Sequence, residues 1–109
     1  MKTIYISGKV TNLCEEATEK RFKEAEEYLR SKGHTVIDPV DLINSLIKAK
    51  EIDKDDRNDI MRYLISVMVI HCDTIYMLDG WQDSEGANQE LKVARAMNFE
   101  VIFENENKI

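Results

Sequence analysis

Glu90 is a carboxylate at a position where the helical pattern calls for an apolar side chain. The segment from Ser84 to Met97 is typical of one helix, and at roughly 100° per residue its apolar side chains share a face. These are Ala87, Leu91, Val93, Ala94 and Met97. Glu90 falls inside this face, and an inward carboxylate is costly unless something pairs with it. The position therefore favours a chemical role for Glu90.

Ser84 and Gly86 stand at the predicted start of the same helix. Free backbone amides and the positive end of the helix dipole favour an anion there. The same field favours the ionised form of Glu90, whereas burial raises the pKa of a carboxyl group, and the sequence leaves this balance open. A carboxylate nucleophile is the group that retaining glycosyl transfer uses, where it forms a covalent ester with the sugar.

The composition limits the class of protein. With 109 residues and 43% hydrophobic content, the chain suits one domain with a single core, spanning residues 1–109. No apolar run approaches the roughly 20 residues that a membrane span needs, and Met1–Ser7 is too short and too quickly polar for a signal peptide. We therefore expect a cytoplasmic protein without a membrane partner.

The net charge argues against nucleic-acid polymers as partners. A formal charge of -6 is incompatible with the broad basic surface that such binding requires. A small anionic ligand remains compatible with this charge if local backbone amides and one or two cations hold it.

Neither the cysteines nor the histidines form a metal-binding pattern. Cys14 and Cys72 lack paired spacing, and in a reducing compartment we expect each to be a free, partly buried thiol. The consecutive residues His71–Asp73 point in different directions and have no second cluster to complete a site. We expect no metal and no cofactor.

Strands and helices alternate along the chain. The predicted strands are Thr3–Ser7, His34–Ile37, Asp73–Leu78 and Phe99–Phe103. The predicted helices run from Asn12 to Lys32, from Pro39 to Ile47, from Asp55 to Ile70 and from Ser84 to Met97. This alternation predicts a three-layer α/β sandwich with a four- to five-stranded parallel sheet flanked by helices.

Local residues also predict several element ends. Asn12, three residues before Glu15, resembles a capping box. Asp38 before Pro39 suits an N-cap followed by the first helical residue. The tail Glu104–Ile109 is polar, and we expect it to fray.

The segment Leu64–Ile70 is apolar nearly all round. A helix of this kind is buried on more than one side. We therefore expect either that it lies deep in the core or that it forms a subunit contact.

The predicted sheet also predicts where a ligand binds. In parallel α/β sheets the ligand lies beyond the carboxyl ends of the strands, where the strand order reverses. This rule selects the loops after Ser7, Ile37 and Leu78. Glu90 lies in the second turn of the helix that follows the last of these loops, so it can project toward the same crevice.

Several segments, taken in order, are similar to those of a known family. They are Ile4–Gly8, Phe22, Gly33–Pro39, Cys72–Trp81 and Ser84–Glu90. Over most of its length the chain resembles the nucleoside 2-deoxyribosyltransferase-like superfamily. It most resembles the small bacterial and phage branch related to 2'-deoxynucleoside 5'-phosphate N-hydrolase. The resemblance implies a flavodoxin/Rossmann-like form of the sandwich.

The resemblance also implies an activity. Family members with known activity cleave the N-glycosidic bond of 2'-deoxynucleosides, or of their 5'-monophosphates, through a glutamate nucleophile that Glu90 matches. Ser84 matches a residue that contacts the sugar or its phosphate, and Gly86 would let the backbone approach the ligand. Tyr5 matches an aromatic position near the site, although a strand tyrosine is commonly a core residue.

The same resemblance places the turn Ser7–Gly8–Lys9 in the opposite wall of the site. Lys9 could neutralise a phosphate, which would favour a nucleotide over a nucleoside. The implied partner is thus a small nucleoside or nucleotide. The resemblance further implies a homo-oligomer, a dimer or higher, because so small a site in this family usually needs a neighbour to close it.

The chain departs from the active members at a second carboxylate. They carry an acid that assists the leaving base on the helix before the third strand, where this chain has acids only at Asp55, Asp56 and Asp59. Asp79 and Asp83 follow the third strand and are candidates to replace it. Turn and N-cap roles explain these two residues equally well.

For two side chains, a structural role is an alternative to the functional one. Trp81 would either stack on a base or cover the edge of the sheet. Glu90 would otherwise form a structural ion pair, and the candidate partners are Lys9, Arg57 and Arg62.

Three functions are compatible with the sequence. The first is an N-glycosidase or deoxyribosyltransferase that forms a glycosyl ester on Glu90. The second is a catalytically inactive nucleotide-binding or sensor module on the same fold. The third is a structural interaction protein built around the apolar helix, which would form an oligomer and bind no ligand.

Overall fold

Four parallel strands form the sheet in residues 1–10 and 16–106, the parts of the chain that the structure, a computed structural model, describes. They are β1 (Thr3–Ser7), β2 (Thr35–Ile37), β3 (Thr74–Met77) and β4 (Glu100–Phe103). The order across the sheet is β2-β1-β3-β4, and every neighbouring pair is parallel. The central strands β1 and β3 are rich in β-branched and aromatic residues, as expected of strands covered on both faces.

The helices alternate with these strands as predicted. They are α1 (Glu16–Ser31), α2 (Pro39–Lys48), α3 (Arg57–His71) and α4 (Glu85–Ala96). A carboxylate caps α2 and another caps α3. Asp38 accepts hydrogen bonds from the N–H groups of Val40 and Asp41 at 3.0 and 3.3 Å, and Asp56 accepts one from Asp59 at 3.0 Å. The predicted cap of Asp38 before Pro39 is confirmed.

Two predictions fall wholly or partly outside the described residues. The expected capping box of Asn12 and Glu15 lies outside them. The expected frayed tail is described only as far as Glu106, where residues 104–106 form a turn.

The sheet has one hydrophobic cluster on each face, which confirms the three-layer arrangement. On one face Ile4, Ile6 and Leu78 pack against side chains of α1, namely Phe22, Ala25 and Leu29. On the other face Tyr5, Ile75 and Met77 pack against side chains from the remaining helices, among them Ile43, Leu64, Met68 and Leu91. Successive strand residues alternate between the two clusters because side chains alternate across a strand.

The apolar helix α3 does not lie deep in the core. Its buried side chains form one stripe of Ile60, Leu64 and Met68, whereas Ile70 is 72% exposed. The all-round apolar pattern therefore leaves a hydrophobic surface on the outer side of the helix. No described helix has both the length and the hydropathy needed to cross a membrane.

The prediction for the far end of α4 was wrong at Met97. This residue was placed on the inward face, but it is 51% exposed. The helix ends at Ala96, and Met97 is its C-cap residue. Asn98 then takes a left-handed conformation with φ 61°, so the chain has left the helical path where the face was extrapolated.

The strand order reverses between β1 and β3, because the chain leaves β1 toward one edge and returns to β3 on the other side. The ends of these two strands approach closely at Gly8. A Cβ atom at Gly8 would lie 2.9 Å from Cδ1 and 3.0 Å from Cβ of Leu78. Glycine is therefore what allows the loop after β1 to lie against the end of β3. The topology therefore predicts a ligand-binding crevice at this point.

Candidate active site

Glu90 is buried against the carboxyl end of β1. Its side chain comes from α4 and is only 5% exposed. The Tyr5 hydroxyl donates a short hydrogen bond to Oε2 of Glu90, and the Ser7 hydroxyl donates one to Oε1 at 2.7 Å. Tyr5 and Ser7 are two residues apart in a strand, so both face α4. Each carboxylate oxygen thus accepts one hydroxyl hydrogen bond.

The predicted inward orientation of Glu90 is confirmed, but the ion-pair alternative is not. Among the described residues no cation forms an ion pair with Glu90. Arg62 pairs with Asp59 at 3.0 Å. The carboxylate is held by neutral hydroxyl groups, which position it without neutralising its charge.

The sequence left open whether the pKa of Glu90 is lowered by the helix dipole or raised by burial, and in the structure burial has the larger effect. Removal from water raises the pKa of Glu90 to about 7, and the hydrogen bonds from Tyr5 and Ser7 only partly oppose this rise. The pKa of Tyr5 is raised well above its usual value, first by burial and then by the negative charge of Glu90. At neutral pH Tyr5 therefore keeps its proton and donates it in the hydrogen bond, while Glu90 is poised between its two forms.

The amino end of α4 lies one helical turn before Glu90. Ser84 is the N-cap, and its hydroxyl accepts a hydrogen bond from the Ala87 N–H at 3.1 Å. Gly86 and Glu90 are four residues apart and share a side of the helix. A Cβ atom at Gly86 would meet the flexible thioether of Met61 at 3.3 Å. Ser84 and Gly86 are both half-buried, and their part in a binding site stays a prediction.

The remaining residues of the predicted wall differ in exposure. Ser7 and Gly8 are buried, whereas the adjacent Lys9 is exposed. The structure therefore brings Ser7 into direct contact with Glu90 but leaves Lys9 at the surface. The role of Lys9 toward a phosphate stays a prediction.

Asp79 does not meet Glu90. Its backbone N–H donates to Oε1 of Glu104 at 2.8 Å, and its carbonyl accepts a hydrogen bond from Arg21. Its negative charge also contributes to a raised pKa of Tyr76, after burial and two other neighbours. Tyr76 belongs to the cluster on the α1 face of the sheet. Asp79 is exposed and is held through its backbone by Arg21 of α1 and by Glu104, and its role as leaving-group acid stays a prediction.

Trp81 packs against the edge strand. Its ring centroid lies 5.8 Å from that of Phe103 in β4, with 33° between the ring planes. The side chain is half-buried at the margin of the cluster that contains Tyr5. This contact matches the sheet-edge alternative. Base stacking by Trp81 is untested, and Asp83, which follows in the same short 3-10 turn, is exposed.

Sequence reasoning missed two contacts. It placed Ser7 in the wall of the site but not as a hydrogen-bond partner of Glu90. The available signal was that Tyr5 and Ser7 are hydroxyl residues at alternate positions of a buried strand. It also missed Arg21 and Glu104, which had no local signal because they resemble ordinary surface charges.

The described residues hold no group of three or more His, Cys, Asp or Glu side chains arranged for a metal ion. Cys72 is a buried free thiol, as expected. Burial, followed by the charge of Asp73, raises its pKa to about 11, so it is a poor nucleophile at neutral pH. The other cysteine, Cys14, lies outside the described residues.

Comparison with known proteins identifies a family. Neither the curated proteins nor the solved structures include a significant match to this chain. One family model, described as "Domain of unknown function (DUF4406)", matches residues 2–103. This match spans every strand and helix described above, and the chain therefore belongs to the DUF4406 family.

Proposed function

We propose that this protein cleaves the N-glycosidic bond of a 2'-deoxynucleoside, or of its 5'-monophosphate, with Glu90 as the nucleophile. The observation that carries the proposal is the buried carboxylate of Glu90. It is held by the hydroxyl groups of Tyr5 and Ser7 and has no cation beside it among the described residues. Its location at the carboxyl end of β1, where the strand order reverses, supports the same role.

In the proposed reaction a carboxylate oxygen of Glu90 attacks C1' of the sugar. The new C–O bond forms as the C–N bond breaks, and the electron pair of the broken bond goes to the leaving base, which takes up a proton. Water, or the nitrogen of an acceptor base, then attacks C1' and frees the carboxylate. Tyr5 and Ser7 keep the carboxylate aligned through both steps.

The residues proposed to bind the substrate come from the loops after β1 and β3 and from the start of α4. Ser84 and Gly86, at the positive end of α4, are proposed to hold the sugar or its phosphate. Lys9 is proposed to add a positive charge at the rim. Trp81 is proposed to contact the base from the margin of the crevice.

Base release tests the activity. The purified protein would be incubated with each 2'-deoxynucleoside and each 5'-monophosphate, and free base would be measured by chromatography. We expect release from at least one substrate and no release by Glu90→Gln, which keeps the size and one hydrogen-bond acceptor of the side chain. Mass spectrometry of acid-quenched samples should find a deoxyribosyl adduct on the wild-type protein that is absent from the variant.

A catalytically inactive nucleotide-binding module is the second candidate function. It is favoured by the surroundings of Glu90, because the hydrogen-bond partners of its carboxylate among the described residues are the hydroxyl groups of Tyr5 and Ser7 and include no second carboxylate. Calorimetric titration with the same compounds separates the two candidates. Measurable binding without any base release would contradict the enzymatic proposal and support this one.

We also propose that the protein is a homo-oligomer. An open groove of about 590 Å³ lies on the outer side of α3 and reaches Gln89 of α4. It is lined largely by Met61, Ile65, Val69 and Ile70. Exposed apolar surface of this kind supports a subunit contact. A purely structural interaction protein would use the same surface but would bind no nucleoside or nucleotide.

A further inference from the structure

The loop after β3 is held at its first residue by two side chains from distant parts of the chain. Arg21 of α1 donates a hydrogen bond to the carbonyl oxygen of Asp79. Glu104, which follows β4, accepts a hydrogen bond from the Asp79 N–H at 2.8 Å. The two side chains also form an ion pair with each other, with 3.6 Å between Nη2 of Arg21 and Oε1 of Glu104. Both backbone polar groups of one residue are thus held by one ion pair.

We infer that Arg21 and Glu104, here called the Arg21–Glu104 clamp, are positioning residues that set where the loop from Asp79 to Ser84 begins. The inference rests on the proposed function, since this loop leads into the helix end that is proposed to bind the sugar or its phosphate. Each residue of the clamp acts through the backbone of Asp79.

The loop has its own internal bonds, which fix its shape. Gly80 takes a left-handed conformation with φ 86°. The N–H of Asp83 then donates to the Gly80 carbonyl at 3.2 Å, and the N–H of Ser84 donates to the Trp81 carbonyl at 3.0 Å. The Asn88 side chain donates to the carbonyl oxygen of Ser84 at 2.8 Å. These bonds connect Asp79 to the cap of α4, while the Trp81 N–H, which donates to the Leu78 carbonyl at 3.2 Å, and the Trp81–Phe103 ring contact anchor the middle of the loop separately.

The clamp connects that starting point to the rest of the fold. The backbone N–H of Glu104 donates to the Met77 carbonyl at 2.9 Å, which continues the parallel pairing of β3 with β4. Glu104 is therefore positioned by the sheet, and Arg21 is positioned by a helix on one face of it. Through these contacts the backbone of Asp79 is fixed relative to both the sheet and helix α1.

Such a clamp adds little to global stability. The side chains of Arg21 and Glu104 are 39% and 33% exposed, and ion pairs with this exposure are weak in water. Its loss should therefore change the position and opening of the loop while the core stays folded. This separates a positioning role from a general structural one.

Amide hydrogen exchange of the wild-type protein and its variants tests the clamp without any substrate. In Glu104→Ala we expect the amide of Asp79 to exchange about five- to tenfold faster, the change expected for loss of one hydrogen bond. The Ala87 amide, which Ser84 caps, should also exchange faster. Glu104→Gln keeps an acceptor oxygen and should retain most of the protection at Asp79.

A matched control breaks a similar ion pair elsewhere on β4. Lys2 and Glu100 are paired at 2.8 Å, with side chains 37% and 52% exposed. They lie at the other end of the strand, so Glu100→Ala should leave exchange at Asp79 and Ala87 unchanged. Equal exchange at Asp79 in Glu104→Ala and the wild type, or equal effects of the two alanine variants, would overturn the inference.

Kinetics test what the clamp does for function. In Arg21→Ala and Glu104→Ala we expect KM, or the dissociation constant of a 2'-deoxynucleoside monophosphate, to rise several-fold. We expect kcat to change much less, because Glu90 is held by Tyr5 and Ser7 in the core. Faster exchange with unchanged KM and affinity would overturn the positioning role. If the wild-type protein releases no base, the proposed activity fails, while exchange and ligand affinity still decide the clamp.

Discussion

The chemistry open to Glu90 depends on whether its side chain is ionised. A nucleophile must be a carboxylate, but burial raises the pKa of this group to about 7. The hydroxyl groups of Tyr5 and Ser7 stabilise the ionised form without adding a positive charge. The ionised form of Glu90, which is the reactive form, therefore lowers the stability of the folded protein.

This cost should appear in the pH dependence of stability. The folded-state pKa of Glu90 lies above its ordinary value of 4.5, so the folded protein binds more protons than the unfolded chain between these values. The contribution of Glu90 to the free energy of unfolding is therefore fully present below about pH 4.5. It is lost as the pH rises through about 7, and the total loss is about 3 kcal/mol. Urea unfolding at pH 5 and pH 8 should show this loss in the wild type relative to Glu90→Gln. An equal difference between the two proteins at both pH values would contradict it.

Tyr5 should also affect the protonation of Glu90. Tyr5→Phe keeps the ring but removes one of the two hydrogen bonds that lower the pKa of Glu90. We expect kcat/KM of the wild type to rise with pH through about 7, and the midpoint in Tyr5→Phe to lie higher, with a lower rate at neutral pH. The pH profile of base release measures both effects.

Tyr76→Phe is the matched control for this substitution. Tyr76 is also a buried tyrosine of a central strand, but it lies in the cluster on the α1 face of the sheet. Removal of the Tyr76 hydroxyl group should leave the midpoint of the pH profile unchanged. A shift as large as that of Tyr5→Phe would show that the effect is not specific to the Glu90 contact.

At the scale of elements, the site depends on how closely the end of β1 approaches the end of β3. Gly8 makes this approach possible, since a side chain there would overlap Leu78. How closely these two strand ends pack determines the distance between Ser7 and the loop that follows Leu78. The fold thus brings two loops from separate parts of the chain to the same edge of the sheet, where a ligand is expected.

The two glycines of the site should respond differently to alanine. In Gly8→Ala the new Cβ would lie 2.9 Å from Leu78 Cδ1, so the strand ends must shift, and we expect a loss of about 1–3 kcal/mol. In Gly86→Ala the nearest atom is the flexible Sδ of Met61 at 3.3 Å, and helix propensity favours alanine. Gly86→Ala should therefore be close to neutral in thermal unfolding. Equal destabilisation by the two substitutions would contradict this account.

At the scale of the whole molecule, the outer surface of α3 is unusual for an acidic, otherwise polar protein. The helix buries one stripe and leaves apolar residues on the groove side, with Ile70 72% exposed. The net charge of -6 opposes association between copies. A subunit contact would therefore have to come from local hydrophobic burial.

The proposed oligomer should depend on this groove. Sedimentation velocity at micromolar concentration should find the wild type as a dimer or larger species. Ile70→Glu should shift it toward the monomer, because a charge would be buried in the contact. Met97→Glu is the control, since Met97 is also exposed, at 51%, but does not line the groove. A wild-type monomer would contradict the proposal.

Much of this architecture could be predicted from local sequence patterns. The strand–helix order, the cap at Asp38 and the inward face of α4 through Ala94 depend on residues that are near each other in the chain. Met97 was misplaced because periodicity does not show where a helix stops. The sequence left open whether α3 lies in the core or presents an apolar side for a subunit contact, since an apolar pattern shows which residues could be buried but not how many neighbours are available to bury them.

The sequence by itself determined that Glu90 points inward and that the chain forms a parallel α/β sheet, because both follow from short-range periodicity. Only the tertiary structure decided what Glu90 meets. Its partners Tyr5 and Ser7 are 85 and 83 residues away, and the residues that bond the backbone of Asp79, Arg21 and Glu104, are 58 and 25 residues from it. Contacts over such separations are set by the strand order and by the packing of helices on the sheet, which local patterns do not encode.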